Sequence, residues 1–320
     1  MSAKPKSILV TGANGFVGRY LCPAILERFP TAQLTAFVSG KAVAVPSGIR
    51  SIQGDIADER SVSQVVKAVV PDVVVHLAAQ SSTAQAGRAE EAARRTNVGG
   101  SSNLGAAVAA LERDCTFLFV STSDVYGQSL NEGPANELVP LSPTSVYAQT
   151  KMEAELALQA SLAESRAKLI VCRPFIHTGP GQDERFVVPA LSAQVARLEK
   201  GLQPPIVIAG DLSVRRDLLD VRDVVEAYLG LIEYADDLPA QSIFNLASGQ
   251  GTELIEIVNI LRRHASRPFE LSKDPDRLRP SEVPVAVGDA EKLRHFLNWQ
   301  PRYRLEETVL AILEGFRRSC

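Results

Sequence analysis

The sequence predicts an α/β protein built around a doubly wound parallel sheet, with a smaller C-terminal α/β domain. Three observations predict this class. Short apolar segments alternate with longer segments of helical periodicity through the first half of the chain. The first apolar segment leads directly into a glycine-rich turn, and proline and glycine become frequent where the alternation ends. With 320 residues, 45% of them hydrophobic, the chain can bury one large core or two smaller ones.

Five short apolar segments have the composition of buried parallel strands. They are residues 7–11, 34–38, 73–78, 116–121 and 168–172. Four longer segments between them carry apolar residues at helical spacing. They are residues 17–29, 61–70, 92–112 and 147–165. This order predicts a parallel sheet that binds its ligands at the carboxyl ends of its strands.

The chain changes character after Pro174. Proline and glycine cluster in residues 173–182, 202–211 and 277–289. Helical spacing returns at residues 220–235, 253–265 and 305–318. We therefore expect two domains. Residues 1–174 and about 215–248 form the first, and residues 175–214 and 249–320 form the second.

The bulk composition argues against several classes of function. The net charge of −3 gives no electrostatic reason to bind nucleic acid or an acidic membrane surface. No apolar run approaches the ~20 residues that a transmembrane helix requires. The four cysteines, at positions 22, 115, 172 and 320, are too widely spaced to indicate a metal cluster. We therefore expect a cytoplasmic protein with free thiols, no bound metal, and no nucleic-acid or membrane partner.

The glycine-rich turn "TGANGFVG" predicts a dinucleotide site. Gly12, Gly15 and Gly18 follow the first strand and open the first helix. Glycine allows the tight turn and the close approach of a pyrophosphate, which the free N–H groups of the helix N-terminus can bind. The same turn contains three further expected cofactor contacts, Asn14, Phe16 and Val17. A purely structural turn is the alternative. A dinucleotide on this sheet would make the fold a Rossmann fold.

The end of the second strand bears on the choice of cofactor. An NAD site usually has an acidic side chain there, which bonds the ribose 2′-hydroxyl. This chain has Phe37, Val38 and Ser39 instead, and Lys41 or Arg19 could attract a 2′-phosphate. The pattern favours NADP(H) over NAD(H).

Two later strand ends are expected to complete the cofactor site. Asp55 and Ile56 follow a third short strand in "QGDIAD" and could flank the adenine. The strand at 73–78 and the residues after it, "HLAAQSS", are expected to face cofactor and substrate. These residues are Leu77, Ala78, Ala79, Gln80, Ser81 and Ser82.

The stretch "SVYAQTK" holds a candidate proton donor. Tyr147 and Lys151 are one helical turn apart and share a helix face, although this spacing alone also occurs by chance. An ammonium near a phenol lowers the phenol pKa from about 10 and favours proton transfer. Thr122 follows the strand at 116–121, where its hydroxyl could bond the same substrate oxygen. A strand-end hydroxyl without a role in catalysis is the alternative for Thr122.

Five motifs together resemble a known family. "TGANGFVG", "GDI", "HLAAQ", "TSDVYG" and "YAQTK" occur in the order and spacing of the extended short-chain dehydrogenase/reductases. The resemblance implies a catalytic Thr122–Tyr147–Lys151 triad and a structural Asn97 at a helix distortion. It also implies a homodimer through a four-helix bundle made by the helices at 92–112 and 147–165.

The C-terminal motifs are similar to those of one branch of the family. "RPFIHTGPGQ", "FVVP", "RRDLLDVRDVVEAY" and "DPDRLRPSEVPVAVGD" resemble the branch that acts on GDP-linked 4-keto-6-deoxy sugars. This resemblance places Pro174 and His177 at the cofactor. It places five further residues at the substrate, Ser123, Phe186, Val187, Arg216 and Arg279. Surface ion pairs with Asp217 or Glu282 are the alternative for the two arginines.

Two departures from the branch bear on the reaction. Ile176 stands where the family has an asparagine that helps to bind the nucleotide sugar. Asp124 stands where dehydratases have the glutamate that acts as base, and the shorter acid argues against elimination. The leading expectation is therefore NAD(P)H-dependent reduction of a nucleotide 4-keto-6-deoxy sugar. The alternatives are a 4,6-dehydratase, a 4-epimerase and an NAD(P)-sensing regulatory protein.

Overall fold

The computed structural model describes residues 4–40, 48–81, 83–274 and 282–320. Strands β1 to β6 span Ser7–Thr11, Gln33–Val38, Arg50–Gln53, Val73–His76, Cys115–Val120 and Ala167–Pro174. Strands β7 to β10 span Ile176–Thr178, Ile206–Ala209, Arg215–Asp220 and Gln241–Leu246. Strands β11 to β13 span Gly251–Glu253, Glu270–Lys273 and Val285–Ala286. All five strands that the apolar segments predict are present, and β3 is the expected third short strand.

Seven strands form the main sheet, in the order β10-β6-β5-β4-β1-β2-β3. Every pairing in it is parallel, as the βα order predicts. The strand order reverses direction between β1 and β4, so a crevice opens at their carboxyl ends. The α/β fold class expected from the sequence is confirmed.

Eleven α-helices lie in the described part of the chain. Helices α1 to α6 span Phe16–Arg28, Glu59–Val69, Thr83–Arg88, Glu90–Arg94, Gly100–Ala109 and Val146–Leu162. Helices α7 to α11 span Val187–Glu199, Val221–Glu233, Ile255–His264, Glu291–Leu297 and Leu305–Ser319. No helix among the described residues is long and apolar enough to cross a membrane.

Residues 92–112 are helical but do not form one regular α-helix, and the helix distortion that the family resemblance implies at Asn97 is present. A π-helical turn at Arg95–Gly99 separates α4 from α5. The turn contains Asn97 and ends at Gly99, and the pair of Gly99 and Gly100 lowers the local preference for regular α-helix. Gly100 packs against Ile56, whose Cγ2 would lie 2.8 Å from an added Cβ. The distortion therefore brings this helix close to the loop after β3.

The C-terminal half builds a separate small sheet and core. Strand β9 pairs with β7, β11 and β13, and β8 pairs with β12. The third hydrophobic cluster lies here, between α7, α9 and α11, whereas the other two clusters pack on the faces of the main sheet. The domain boundaries stay a prediction. Strand pairing places β9 with the small sheet, although the sequence grouped residues from about 215 with the first domain.

Candidate active site

A cleft of about 1310 Å³ runs along the carboxyl ends of β1, β4, β5 and β6. The loops that follow these four strands form one wall, and residues 181–188 form the opposite wall. Most of the predicted site residues line this cleft. From the cofactor prediction they are Gly12, Asn14, Gly15, Phe16, Val17, Gly18, Asp55, Ile56, Leu77, Ala78, Ala79, Gln80, Pro174 and His177. From the triad and substrate predictions they are Ser81, Thr122, Ser123, Asp124, Tyr147, Lys151, Phe186 and Val187.

Among the described residues, two predicted site residues do not line the cleft. Asn97 is buried behind it, with 1% of its surface exposed. Arg216 is half-buried outside the lining. Arg279 lies outside the described residues, as do Lys41 and Ser82.

The glycine turn has the shape that a pyrophosphate requires. Gly12 has a φ of +69°, and an added Cβ would lie 2.8 Å from the Ala78 nitrogen. A Cβ on Gly18 would overlap the carbonyl oxygen of Ala13. Gly15 is the N-cap of α1, so the first N–H groups of this helix open onto the cleft. These residues fit a dinucleotide.

The end of β2 presents no carboxylate to the cleft within the described residues. Val38, Ser39 and Gly40 line it, as the sequence predicts. Arg19 also lines the cleft, but its Nη2 donates to the Gly181 carbonyl at 2.7 Å. Asp55 accepts a hydrogen bond from the backbone N–H of Ala57 at 2.9 Å.

Thr122 and Tyr147 meet at the carboxyl end of β5. The Thr122 hydroxyl caps a 3₁₀ helix that begins at Ser123, where it accepts from the Asp124 N–H at 3.2 Å. Tyr147 lies in the first turn of α6, after the N-cap Ser145. A hydrogen bond between the Tyr147 and Thr122 side chains lowers the phenol pKa. The two hydroxyls can therefore address one substrate oxygen.

The expectation of a lowered Tyr147 pKa is wrong for this structure, because the net shift is upward. Burial of the phenol raises its pKa, and the Asp124 carboxylate raises it further. These two effects outweigh the Thr122 hydrogen bond. Tyr147 is thus a neutral phenol at neutral pH, which is the form that donates a proton.

Lys151 is a buried ammonium one turn further along α6. Only 2% of its surface is exposed, and its Nζ lies 4.2 Å from the centre of the Phe119 ring. Burial lowers its pKa to about 7, against the opposing charge of Glu155. Its charge is therefore adjustable near neutral pH.

A buried ion pair, which no local sequence pattern indicates, joins this helix to β6. Arg173 donates to both carboxylate oxygens of Glu155, at 3.1 and 2.6 Å, and both residues are at most 3% exposed. Ser121 donates to the same carboxylate. The buried Tyr126 hydroxyl accepts from Arg173 and donates to Asn245. This network joins α6 to the ends of β5 and β6.

The charges of Asp124 and Arg216 shift each other's pKa. Burial raises the Asp124 carboxyl pKa, and the Arg216 charge opposes that rise. Burial lowers the Arg216 pKa, and Asp124 is the largest opposing charge. Asp217 accepts from the Ser248 N–H and hydroxyl and from two glycine N–H groups, which makes it a backbone anchor.

His177 and Ile176 form the cleft wall after β6. The His177 Nδ1 lies 3.2 Å from the Phe175 carbonyl, so Nδ1 is the protonated nitrogen and Nε2 is an acceptor. Its ring stacks on Phe16, with 6.4 Å between centres, and burial lowers its pKa. Ile176 is 37% exposed and offers the cleft only an apolar surface.

The opposite wall contains residues that the sequence did not single out. Gln182, Asp183, Arg185 and Val188 all line the cleft. Gln182 is the last residue of the motif "RPFIHTGPGQ", where it donates to the His177 carbonyl and accepts from Thr178. The motifs could have indicated Gln182 and, within "FVVP", Val188, but no motif or spacing rule indicates Asp183 or Arg185. No cluster of three or more histidine, cysteine, aspartate or glutamate side chains suited to a metal occurs in the described ranges.

Comparison with known proteins agrees with this geometry. The family model for GDP-mannose 4,6 dehydratase matches residues 9–312. This chain belongs to that family. The GDP-6-deoxy-D-mannose reductase of Pseudomonas aeruginosa is 33% identical to this family member over 311 residues, which is 97% of this chain and 96% of the reductase.

Solved structures show the same fold. A structure of the Pseudomonas aeruginosa protein RMD complexed with NADPH has a TM-score of 0.84 and 29% identity, covering 98% of this chain and 100% of that one. The UDP-glucose 4-epimerase of Thermotoga maritima with UDP-glucose has a TM-score of 0.83 and 27% identity, covering 98% and 99%. The family expected from the motifs is confirmed. The chain is an NAD(P)-dependent enzyme of the nucleotide-sugar class.

Proposed function

We propose that this enzyme reduces the 4-keto group of a nucleotide 4-keto-6-deoxy sugar, converting GDP-4-keto-6-deoxy-D-mannose to GDP-D-rhamnose. The observation that carries this proposal is the meeting of the Thr122 and Tyr147 hydroxyls and the Lys151 ammonium in one cleft with the glycine turn. The similarity to a GDP-6-deoxy-D-mannose reductase supports the choice of substrate.

The proposed roles follow from the environment of each side chain. When bound, a reduced nicotinamide supplies the hydride. Tyr147, neutral because burial raises its pKa, donates its proton to the carbonyl oxygen. Thr122 hydrogen-bonds the same oxygen and holds it beside the phenol. Lys151 stabilises the phenolate that forms as the proton leaves, since an ammonium favours a nearby anion.

The remaining predicted residues take binding roles in this proposal. Gln80, Ser81, Ser123, Phe186 and Val187 bind the sugar from the two cleft walls. Arg216, and Arg279 outside the described residues, bind the diphosphate, for which a guanidinium is well suited. Ile176 contributes apolar contact where the family has an amide.

The cofactor that we propose is NADP(H). Its support is the absence of an acidic side chain at the end of β2 among the described cleft residues. The neutral acceptor Nε2 of His177 suits the amide of a nicotinamide.

One observation favours a second candidate, a 4,6-dehydratase. Asp124 lies in the cleft two residues after Thr122, and burial raises its pKa, which is typical of a carboxyl that exchanges protons. A dehydratase recycles its cofactor, whereas a reductase consumes it. The two reactions therefore differ in stoichiometry.

The test mixes the purified protein with GDP-4-keto-6-deoxy-D-mannose and NADPH. A reductase oxidises one NADPH for each GDP-deoxysugar formed, measured by absorbance and by chromatography. Conversion of GDP-mannose without net loss of NADPH would instead identify a dehydratase. If neither substrate nor any other nucleotide keto-sugar reacts, the proposal is wrong. The remaining alternative is then an NAD(P)-sensing regulatory protein.

We also propose that the protein is a homodimer through a four-helix bundle. Helices α5 and α6 pack side by side, since a Cβ on Gly105 would lie 2.9 Å from Leu158. On the side away from the sheet, α6 exposes Leu156, with 56% of its surface accessible. A second copy of the same helix pair would cover this leucine.

A further inference from the structure

A chain of buried hydrogen bonds connects the glycine turn to the catalytic helix. Its members are Thr11, His76, Ser101, Asn97 and Thr150. Each of them is at most 1% exposed. Thr11 is the residue immediately before Gly12, and Thr150 lies on α6 between Tyr147 and Lys151.

The first half of the chain fixes the protonation of His76. The Ala78 N–H donates to Thr11 Oγ1 at 3.2 Å, so this hydroxyl is free to donate onwards to His76 Nδ1, 2.7 Å away. The Ser101 hydroxyl donates to the Asn97 carbonyl at 2.6 Å and can therefore only accept from His76 Nε2, 3.0 Å away. Burial keeps His76 neutral, so its one proton lies on Nε2 and its Nδ1 accepts from Thr11.

The second half of the chain runs from the π-turn to Tyr147. The Asn97 Oδ1 accepts from the Gln80 N–H at 2.8 Å, which turns its Nδ2 towards Thr150 Oγ1 at 2.9 Å. The Thr150 hydroxyl then donates to the Tyr147 carbonyl at 2.8 Å. Every bond in the chain has one possible direction, and both ends reach cleft residues, Ala78 and Tyr147.

The surroundings keep His76 in this state. Its ring contacts Phe119, with 5.5 Å between centres, and the Lys151 ammonium lies over the same phenyl ring. Burial and the Lys151 charge lower the His76 pKa to about 3. The imidazole therefore acts as a fixed connector with one donor and one acceptor at all physiological pH values.

We propose that His76 is a positioning residue that couples the cofactor-binding turn to the π-turn and the catalytic helix. Its bonds to Thr11 and Ser101, and the bond from Ser101 to the Asn97 carbonyl, fix the turn relative to Asn97, so that a cofactor on the turn and the Tyr147 backbone shift together. The proposal concerns the enzyme of the proposed function, but its main readout, NADPH binding, does not require turnover.

The experiment is a double-mutant cycle on NADPH affinity. Thr11→Val removes the hydroxyl at the turn, and Ser101→Ala removes the one at the π-turn. NADPH dissociation constants are measured by fluorescence titration for both single variants and the double variant. We expect each single variant to bind roughly 3- to 10-fold more weakly. The loss of NADPH affinity in the double variant should be clearly smaller than the product of the two single losses. Either substitution alone already breaks the hydrogen-bond chain, so the second has less left to disrupt.

The same cycle in a His76→Phe background isolates the connector. In that background the two losses of NADPH affinity should multiply, because Phe cannot hydrogen-bond to Thr11 or Ser101 and so cannot connect them. If His76→Phe does not fold, His76→Gln replaces it, because Gln keeps a donor near Ser101 and has no group at the Nδ1 position. Effects that already multiply in the wild-type background would overturn the proposal, as would coupling that survives in the His76 variant.

A matched control separates positioning from stability. Ser192 is a buried serine on α7 whose hydroxyl donates to the Val188 carbonyl four residues earlier, as Ser101 does to Asn97. Ser101→Ala and Ser192→Ala should lower the melting temperature similarly, but only Ser101→Ala should weaken NADPH binding and lower kcat. Equal effects on NADPH affinity would show a structural role alone. If the wild type binds NADPH but reduces no keto-sugar, the proposed function fails and the cycle still decides the role of His76.

Discussion

At the residue scale, the proposed mechanism depends on two side chains whose pKa values move in opposite directions. Burial raises the pKa of the Tyr147 phenol and lowers that of the Lys151 ammonium to about 7. Both shifts favour the uncharged form, because a low-dielectric cleft disfavours any charge. Tyr147 is therefore kept as a proton donor, and the charge of Lys151 varies with pH.

Removing the Tyr147 hydroxyl tests its role directly. We expect Tyr147→Phe to lower kcat by about 100- to 10,000-fold, which is the usual contribution of a positioned general acid. NADPH affinity should change little, because the ring remains. Steady-state kinetics and fluorescence titration measure the two quantities.

Tyr126→Phe is the matched control for the tyrosine. Its hydroxyl is buried and bonded to Arg173 and Asn245, away from the cleft lining. We expect it to lower stability by about 1–3 kcal/mol and to leave kcat close to the wild-type value. A Tyr147→Phe enzyme that retains wild-type kcat would contradict the proposed mechanism.

The pKa of Lys151 predicts the pH dependence of reduction. The ammonium is charged below about pH 7 and loses its proton above it. Since the charged form stabilises the phenolate, kcat/KM should fall as pH rises through about 7, approaching tenfold per pH unit. Tyr147 adds no fall in this range because its own pKa is raised.

Lys151→Met serves as the control for this profile, since it keeps the length of the side chain and cannot titrate. We expect a low kcat/KM without the fall near pH 7. Initial rates over the range from about pH 6 to about pH 9 measure both profiles. A wild-type profile that stays flat through pH 7, or a fall that persists in Lys151→Met, would assign the titration to another group.

Some residues of the site could be predicted from the sequence and others could not. Motif order placed Tyr147, Lys151 and Thr122 in one site, because each follows a fixed landmark of the fold. The Arg173–Glu155 pair could not be predicted, because it joins a strand to a helix 18 positions away with no local pattern. The direction of the Tyr147 pKa shift was predicted wrongly for a similar reason, since the burial that raises this pKa depends on the packing of the whole cleft.

At the element scale, the turn between β1 and α1 is the most sharply defined part of the cofactor site. Gly18 lies within α1, where Ala would normally stabilise a helix. Here a Cβ would overlap the Ala13 carbonyl, which belongs to the turn itself. The contact, rather than helix propensity, therefore decides the effect of substitution.

Gly18→Ala should lower the free energy of unfolding by about 1–3 kcal/mol, as overpacking does, and should weaken NADPH binding. Gly315→Ala is the matched control in α11, because a Cβ there meets nothing within 4 Å. It should raise stability by about 0.5–1 kcal/mol and leave NADPH binding unchanged. Denaturant unfolding and fluorescence titration measure these effects. Wild-type NADPH affinity in Gly18→Ala would contradict the assigned role of the turn.

Elements were predicted well where periodicity was strong, and less well where side chains redirect the backbone. The parallel strands follow from apolar runs. The π-turn at Arg95–Gly99 does not, because Asn97 holds it through the Gln80 N–H and the Thr150 hydroxyl, both distant in sequence. The family resemblance implied a distortion at Asn97, but the only local sign in the residues themselves was the glycine pair at the end of the turn.

At the scale of the whole molecule, the two walls of the cleft differ in how well the sequence predicts them. The cofactor wall belongs to the regular main sheet. The other wall is an irregular loop held to α1, since Tyr20 donates to the Pro180 carbonyl at 2.7 Å and Arg19 to the Gly181 carbonyl at 2.7 Å. We propose that this second wall selects the substrate, and its irregular backbone gives the sequence little periodicity from which to predict that choice.

The proposed dimer gives the last prediction. On α6, Leu156 is exposed on the face turned away from the sheet, while Leu158 and Leu162 are buried against it. A twofold axis beside α5 and α6 would place both copies of Leu156 in the same interface.

Leu156→Glu would then bury two unpaired carboxylates, which an interface does not tolerate. We expect light scattering at micromolar concentration to give twice the chain mass of 34.5 kDa for the wild type and a single chain mass for Leu156→Glu. Leu202→Glu, at a leucine that is 66% exposed beyond α7, should remain dimeric. A wild type with the mass of one chain, or a Leu156→Glu variant that remains dimeric, would show that these helices do not form the interface.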